Sequence, residues 1–208
     1  MSALLDFLFP SNCVVCDRAP QLVCPECLPL SLPRAEQLEG LGLYFALDLE
    51  GAVERLIAGY KDQTKLALAR HLARYLDQAV AMLTNIPEQI AYPPSSKRNF
   101  AKRGFNPVSV ICSQSTSLGS LSRIQVDLER QTEEQRQLGA KDRVANLEGA
   151  FRVRHGEGKV LIVDDVVTTG ATVGSLARQL ERSGYQVSGI CAIARRNQTW
   201  PTSQLKKA

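Results

Sequence analysis

Four apolar residues, Val160–Val163, run directly into two adjacent carboxylates and then into a threonine-glycine turn, in the stretch VLIVDDVVTTGAT. A strand that is apolar at every position has no face to give to water, so it belongs at the centre of a parallel sheet covered above and below. Parallel neighbours then require crossover connections, usually helices. The rest of the chain alternates to match. Strands are expected near Leu43–Leu49 and at Gln89–Tyr92, Arg123–Leu128, Ala150–Val153, Lys159–Val163 and Gln186–Ala194. Helical periodicity covers Ala52 to about Thr84, divided near Lys61–Thr64, and returns at Val108–Ser117 and Ala171–Arg182. The polar segments SSKRNFAKRGFNP and 129–147 are expected as loops. This pattern predicts an α/β fold with a mainly parallel sheet and helices on both faces. The 208 residues, 44% apolar and 22% charged, suffice for one such domain with a small appendage.

Ligands of open α/β sheets bind outside the C-terminal ends of the strands, which puts Asp164 and Asp165 where a site would be. Val166, Val167, Thr168, Thr169, Gly170, Ala171 and Thr172 then lead into the helix. Small residues let successive backbone N–H groups face an anion, the hydroxyls add donors, and the helix N-terminus favours negative charge. Such a cradle suits one phosphate. Two carboxylates beside it suit the vicinal hydroxyls of a ribose 5-phosphate, each accepting from a hydroxyl or binding a bridging Mg²⁺. A solvated acidic turn before a Thr-capped helix is the competing interpretation; it explains a lone Asp or Thr, but not the whole string.

The net charge of +4 permits anionic ligands without demanding nucleic acid. Its placement says more, because Lys97, Arg98, Lys102 and Arg103 fall in a short stretch without an acid. Arginines there suit phosphoryl oxygens, and Gly104 lets the backbone turn toward a ligand. The alternative is a solvated or nucleic-acid-facing surface, with Phe100 and Phe105 as stacking platforms or as local packing. Stretch 129–147 holds few core-forming residues, and a loop of that length inside a domain is functional or disordered. His71 and His155 are incidental to this chemistry.

Cys13-x-x-Cys16 and Cys24-x-x-Cys27 form two tight pairs. Their spacing lets four thiolates reach one tetrahedral ion, and their flanks hold too little apolar surface to fold unaided. A structural Zn²⁺ is expected; a redox CxxC competes, but two pairs without a surrounding βαβ pattern argue against it. Cys112 and Cys191 stand in apolar segments as buried small hydrophobes. No apolar run approaches the ~18 residues of a membrane span. The start MSALLDFLFP carries an acid and no basic residue, unlike a signal peptide, so the chain is expected in the cytoplasm.

VLIVDDVVTTGAT resembles the phosphoribosyl-pyrophosphate (PRPP) signature of type I phosphoribosyltransferases. The wider set "FLFPSNCVVC", the paired cysteines, "KRGFNP", "RQTEEQ…R…NLEGAF" and that signature resembles the ComF family, associated with competence for DNA uptake. The resemblance implies a type I phosphoribosyltransferase fold with an N-terminal zinc-binding knuckle: residues 1–32 the knuckle, 33–196 the transferase-like domain with hood and mobile loop, 197–208 a flexible tail. It implies that Asp164 and Asp165 hold the ribose hydroxyls while Val166 through Thr172 complete the PRPP segment. Lys97, Arg98, Lys102, Arg103 and Gly104 would form the pyrophosphate loop with Mg²⁺, and Arg130, Gln131 and Thr132 a mobile loop. Asp164, Asp165, Arg103 and Arg130 are then the catalytic candidates. The implied partners are PRPP, an acceptor base or amine, and a second copy in a homodimer. In the alternative the pocket is a ligand sensor, and the knuckle and basic loop bind single-stranded DNA or a DNA-uptake helicase. Two departures from the family fall near the basic loop: Pro107 stands where Gln is usual after "RGFN", and Pro93-Pro94 replaces a Val-Pro/Leu run.

Overall fold

The computed structural model describes residues 12–18, 20–129 and 149–196. Its main sheet has six strands. β1 (Arg34–Leu38) and β2 (Leu41–Asp48) form a hairpin through Glu39 and Gly40, both at positive φ as a two-residue turn needs. β3 (Gln89–Ala91), β4 (Ser122–Arg123), β7 (Lys159–Val167) and β8 (Gln186–Arg195) complete it, in the order β1-β2-β8-β7-β3-β4. Only the β1–β2 pair is antiparallel; β2, β8, β7, β3 and β4 run parallel. β5 (Val126–Leu128) and β6 (Phe151–Val153) make a separate antiparallel ribbon.

β7 is central, and its alternating side chains serve two cores. Leu161 and Val163 join the first, with Cys191 and Ile193 of β8. Three helices cover that face: α1 (Gly51–Asp62), α2 (Ala69–Val80) and α4 (Pro107–Gln114). Each buries residues at helical spacing, as with Val53, Leu56, Ile57 and Tyr60 of α1. Val160 and Ile162 join the second core with Ile190 and Ala192, under α5 (Ala171–Arg182) and the β5–β6 ribbon. The expected helical division lies where Thr64 takes φ 55° before a 3₁₀ turn at Leu66–Leu68. Val14, Val15, Leu22 and Val23 of the cysteine segment pack on the first core. Cys112 and Cys191 are buried, as expected of small hydrophobes.

Three expectations are corrected, and one strand, β1, was not foreseen. The segment 95–107 is not all loop, since Lys97–Arg103 forms a helix, α3. Ser96 caps it by accepting from the Asn99 N–H, and Gly104 at φ 77° ends it. Arg123–Leu128 is not one strand: β4 stays in the main sheet and β5 leaves it. β1, all but its last residue exposed, has no apolar alternation to announce it. β7 continues past the apolar run through both aspartates to Val167, paired with β8 throughout.

Candidate functional site

The extra length of β7 decides where the carboxylates go. Successive side chains on a strand point to opposite sides, and the two aspartates divide accordingly. Asp164 lines a small cleft together with Val166, Val167, Thr168, Thr169, Gly170, Ala171, Thr172 and Val173. Asp165 is buried, 6% exposed, and its carboxylate meets the Lys61 ammonium of α1 at 2.6 Å. The Asp165 N–H donates to the Asp164 carboxylate at 2.9 Å. Burial, and then the charge of Asp165, push the Asp164 carboxyl up to about 8, against the opposing pull of Lys61.

The cleft floor is the loop from β7 into α5. Gly170 takes φ 83° and caps the helix, and its carbonyl accepts from the Gly174 N–H at 2.8 Å. The Thr169 hydroxyl accepts from the Ala171 N–H at 3.3 Å. Thr168 and Thr169 stand exposed. Free amides of a first helical turn, hydroxyls and a left-handed glycine are the makings of an anion site. The hairpin and β8 brace this loop from outside. Leu38 lies against Gly170, Glu39 pairs with Arg178 of α5, and Arg195 bonds the Thr168 carbonyl while holding Glu36 at 3.1 Å.

The basic segment comes to the same end of the molecule through α1. Lys102 and Arg103 both pair with Asp62, at 3.7 and 3.3 Å. Asp62 follows Lys61 directly, so the last residues of α1 join the aspartate couple to the basic segment. Arg103 keeps its Nε buried without a hydrogen-bond partner among the described residues. Lys97 and Arg98 are exposed on the first turn of α3. Pro107, one of the departures from the family, is the first residue of α4, where the missing N–H has no helical partner to lose; Asn106 caps that helix. Sequence reasoning missed Lys61 and Asp62. A basic residue in the last turn of an amphipathic helix is ordinary, and only tertiary packing reveals its partner.

Arg130, Gln131 and Thr132 lie outside the described residues. The chain on either side is anchored: the Glu129 N–H donates to the Ala150 carbonyl at 2.9 Å, and the Glu129 carboxylate pairs with Arg152 at 2.6 Å.

The Sγ atoms of Cys13, Cys16, Cys24 and Cys27 all lie within 4.8 Å of one another. Cys16 to Cys24 is 3.6 Å and Cys24 to Cys13 is 3.7 Å. Four bonds of about 2.3 Å to a central ion put ligand sulfurs about 3.8 Å apart, whereas a disulfide needs about 2.05 Å. The spacing is that of a tetrahedral thiolate metal site, and the six cysteines are free thiols. Burial acts to raise the Cys13 thiol, but backbone N–H groups of Cys24, Cys16 and Val15 outweigh it and bring it down to about 6. The other direction holds at Cys24, whose thiol is raised by its hydrogen bond with Cys27 and by burial, so the low value belongs to Cys13 and not to the loop as a whole.

No family model matches the chain. It is 32% identical to the DNA utilization protein YhgH of Salmonella typhi in an alignment of 203 positions that covers 88% of this chain and 89% of that protein. It is also 32% identical to competence protein F of Haemophilus influenzae in an alignment of 153 positions that covers 67% of this chain and 66% of the other. The chain belongs to the ComF family. Among solved structures it is similar to adenine phosphoribosyltransferase from Leishmania donovani, at 14% identity and a TM-score of 0.39 over 66% of this chain and 56% of that one. The expected architecture, a mainly parallel sheet with helices on both faces beside an N-terminal four-cysteine cluster, is borne out for this ComF-family chain. Among its described residues no helix is long and apolar enough to cross a membrane.

Proposed function

We propose that this chain binds PRPP at Asp164–Thr172 and transfers the phosphoribosyl group to a base or amine. The observation that carries the proposal is the cleft in which Asp164 faces the Thr168–Thr172 loop at the head of α5. Only an anion bearing hydroxyls a short distance away uses both features at once. The amides and hydroxyls of residues 168–172 would hold the 5-phosphate, and Asp164 and Asp165 the ribose hydroxyls. Lys102 and Arg103, which meet the end of α1 at Asp62, would take the pyrophosphate, with Lys97, Arg98 and Gly104 completing that loop. In the step, the acceptor's lone pair forms the bond to the anomeric carbon while the bond to the pyrophosphate oxygen breaks, through an oxocarbenium-like state. Little covalent chemistry falls to the protein. Positioning, and neutralising the charge that gathers on the leaving group, lower the barrier. PRPP is taken as its Mg²⁺ salt, the cation sharing that neutralisation. Arg130, Gln131 and Thr132 are proposed to close over PRPP and exclude water.

Zinc is the metal proposed for the four cysteines. Four thiolates leave no position open for water, so its role is structural. That the relatives are named for DNA utilization and competence supports a role in the use of incoming DNA.

A second reading, a DNA-binding module that only senses PRPP, is favoured by α3. Its Lys97, Arg98 and Lys102 are exposed, and Phe100 is 52% exposed beside a groove of about 530 Å³ lined by Pro94, Asn106, Arg123, Gln125 and Asp127. Aromatic and cationic side chains together suit single-stranded nucleic acid. Calorimetric titration with PRPP and Mg²⁺, followed by a pyrophosphate-release assay across nucleobases and amines, separates the readings. Binding with release supports transfer, and binding without release supports the sensor. Absence of PRPP binding, or binding that survives Asp164→Asn with Asp165→Asn, removes both.

A further inference from the structure

The last two residues of α1 carry opposite charges, and each is spent on one half of the proposed ligand site. Lys61 holds Asp165 at 2.6 Å with both side chains largely withdrawn from water. Asp62 holds Lys102 and Arg103. An ammonium therefore occupies a carboxylate expected to take ribose hydroxyls, and a carboxylate occupies two cations expected to take phosphoryl oxygens. Neither interaction is needed to place α1, which is already anchored by Val53, Leu56, Ile57 and Tyr60 in the core and by the Tyr60 hydroxyl donating to the Pro107 carbonyl at 2.8 Å. Arg103 shows the arrangement to be incomplete, because its buried Nε has no partner among the described residues while its Nη2 reaches Asp62.

We propose that Lys61-Asp62 is an internal clasp that mimics the ligand, and that binding of a pyrophosphate-bearing sugar opens it by trading both ion pairs. Asp62 yields Lys102 and Arg103 to the incoming phosphoryl oxygens. Lys61 yields Asp165 to the hydroxyls and turns to the same phosphoryl charge. The consequence is selectivity. A lone orthophosphate at the Thr168–Thr172 loop leaves the clasp closed, whereas a ligand spanning both halves opens it. The inference rests on the PRPP reading, but inorganic pyrophosphate tests it separately.

The test compares wild type, Asp62→Asn and Asp62→Glu in titrations with inorganic pyrophosphate and with PRPP, each with Mg²⁺, on chains shown by circular dichroism to be folded. Removing an anion that competes for Lys102 and Arg103 should tighten pyrophosphate binding about threefold, the scale of ion pairs in which one partner is exposed. Asp62→Glu should stay near wild type, and the gain should shrink in high salt as the pairs are screened. A Lys61→Arg chain provides the assignment for the Lys61 ammonium signal in ¹⁵N-lysine NMR, which should shift on adding pyrophosphate to wild type. Unchanged or weaker pyrophosphate binding by Asp62→Asn, or a Lys61 signal indifferent to pyrophosphate, overturns the clasp even where PRPP binds. If pyrophosphate shows the gain and PRPP does not bind, the clasp stands and the PRPP reading falls. If neither ligand binds any of the three chains, both fall.

Discussion

Leu38, next to the tip of the β1–β2 hairpin, lies so close to Gly170 that a β-carbon there would come within 2.6 Å of its methyl carbons. Gly170 also sits at φ 83°, in the left-handed region, at the head of α5. The two facts have different weights. A leucine's tip can turn aside, but the backbone angle cannot be relieved without rebuilding the loop. Gly170→Ala should therefore cost about 1–2 kcal/mol for the left-handed conformation, and Leu38→Ala should not restore that part. Because the same loop is the proposed phosphate cradle, PRPP affinity should fall by more than stability does. Urea unfolding and calorimetry of the single and double variants check this; full recovery in the double variant would show that the side-chain clash, not the backbone, was decisive.

Asp164 sets a pH dependence whose sign is fixed. Its carboxyl is raised from 3.8 to about 8, so between those values the folded chain holds a proton that the unfolded chain has released. Stability should accordingly decline as pH rises through that window, and the decline should vanish in Asp164→Asn. Hydroxyl donors need the carboxylate form. PRPP binding should therefore strengthen from about pH 6.5 to about pH 8.5 and release a proton. Titrations in buffers of differing ionisation enthalpy measure that release directly. A flat profile for wild type would mean that Asp164 is already ionised in the free chain.

Much of this was legible in the residues, and what escaped did so for physical reasons. β7 declared itself because an all-apolar run has only one home in such a sheet. α5 was bounded correctly, Ala171–Arg182, by the glycine before it and its buried stripe of Val173, Leu176, Ala177 and Leu180. α3 escaped because Lys97 to Lys102 are all exposed, so no apolar period exists to be read; its Ser96 cap and terminal Gly104 were the available signs. The paired aspartates were found as a motif, but not their separation onto two sides of β7, which follows from the strand continuing through them. Lys61 and Asp62 were invisible, since a salt bridge between distant segments leaves no local pattern.

A metal held by the four cysteines would fix more than the shape of their own segment. Val14, Val15, Leu22 and Val23 lie on the first core, and Val14 is against Gly59 of α1. If the thiolates hold zinc, that metal fixes the loop that presents these side chains. Elemental analysis should find about one zinc per chain. Chelation, or Cys24→Ser, should lower the melting temperature and expose apolar surface to a hydrophobic dye. PRPP affinity should change much less, because the cluster contributes no residue to the cleft around Asp164. A chain that melts unchanged after complete metal removal would show the thiols packing well enough alone.

Arg195 is placed to hold the phosphate loop without touching its ligand. At the end of β8 it pairs with Val167 in the sheet register, and its guanidinium donates to the carbonyls of Val167 and Thr168 while Glu36 fixes its other edge at 3.1 Å. Tying those carbonyls outward commits the following amides to the cleft. Arg195→Met leaves two carbonyls without their charged donor, a loss of about 1.5–3 kcal/mol for hydrogen bonds to a charged group. Part of that should appear as lowered stability, and part as PRPP binding weakened about tenfold, one tenfold step corresponding to about 1.4 kcal/mol. Arg195→Lys, which keeps one donor, should recover some of both, and Glu36→Gln should be milder than either because that edge is solvent-exposed. A variant that loses stability yet binds PRPP at wild-type strength would assign Arg195 to the fold alone, since positioning of the loop is the one role that must register in the ligand's affinity.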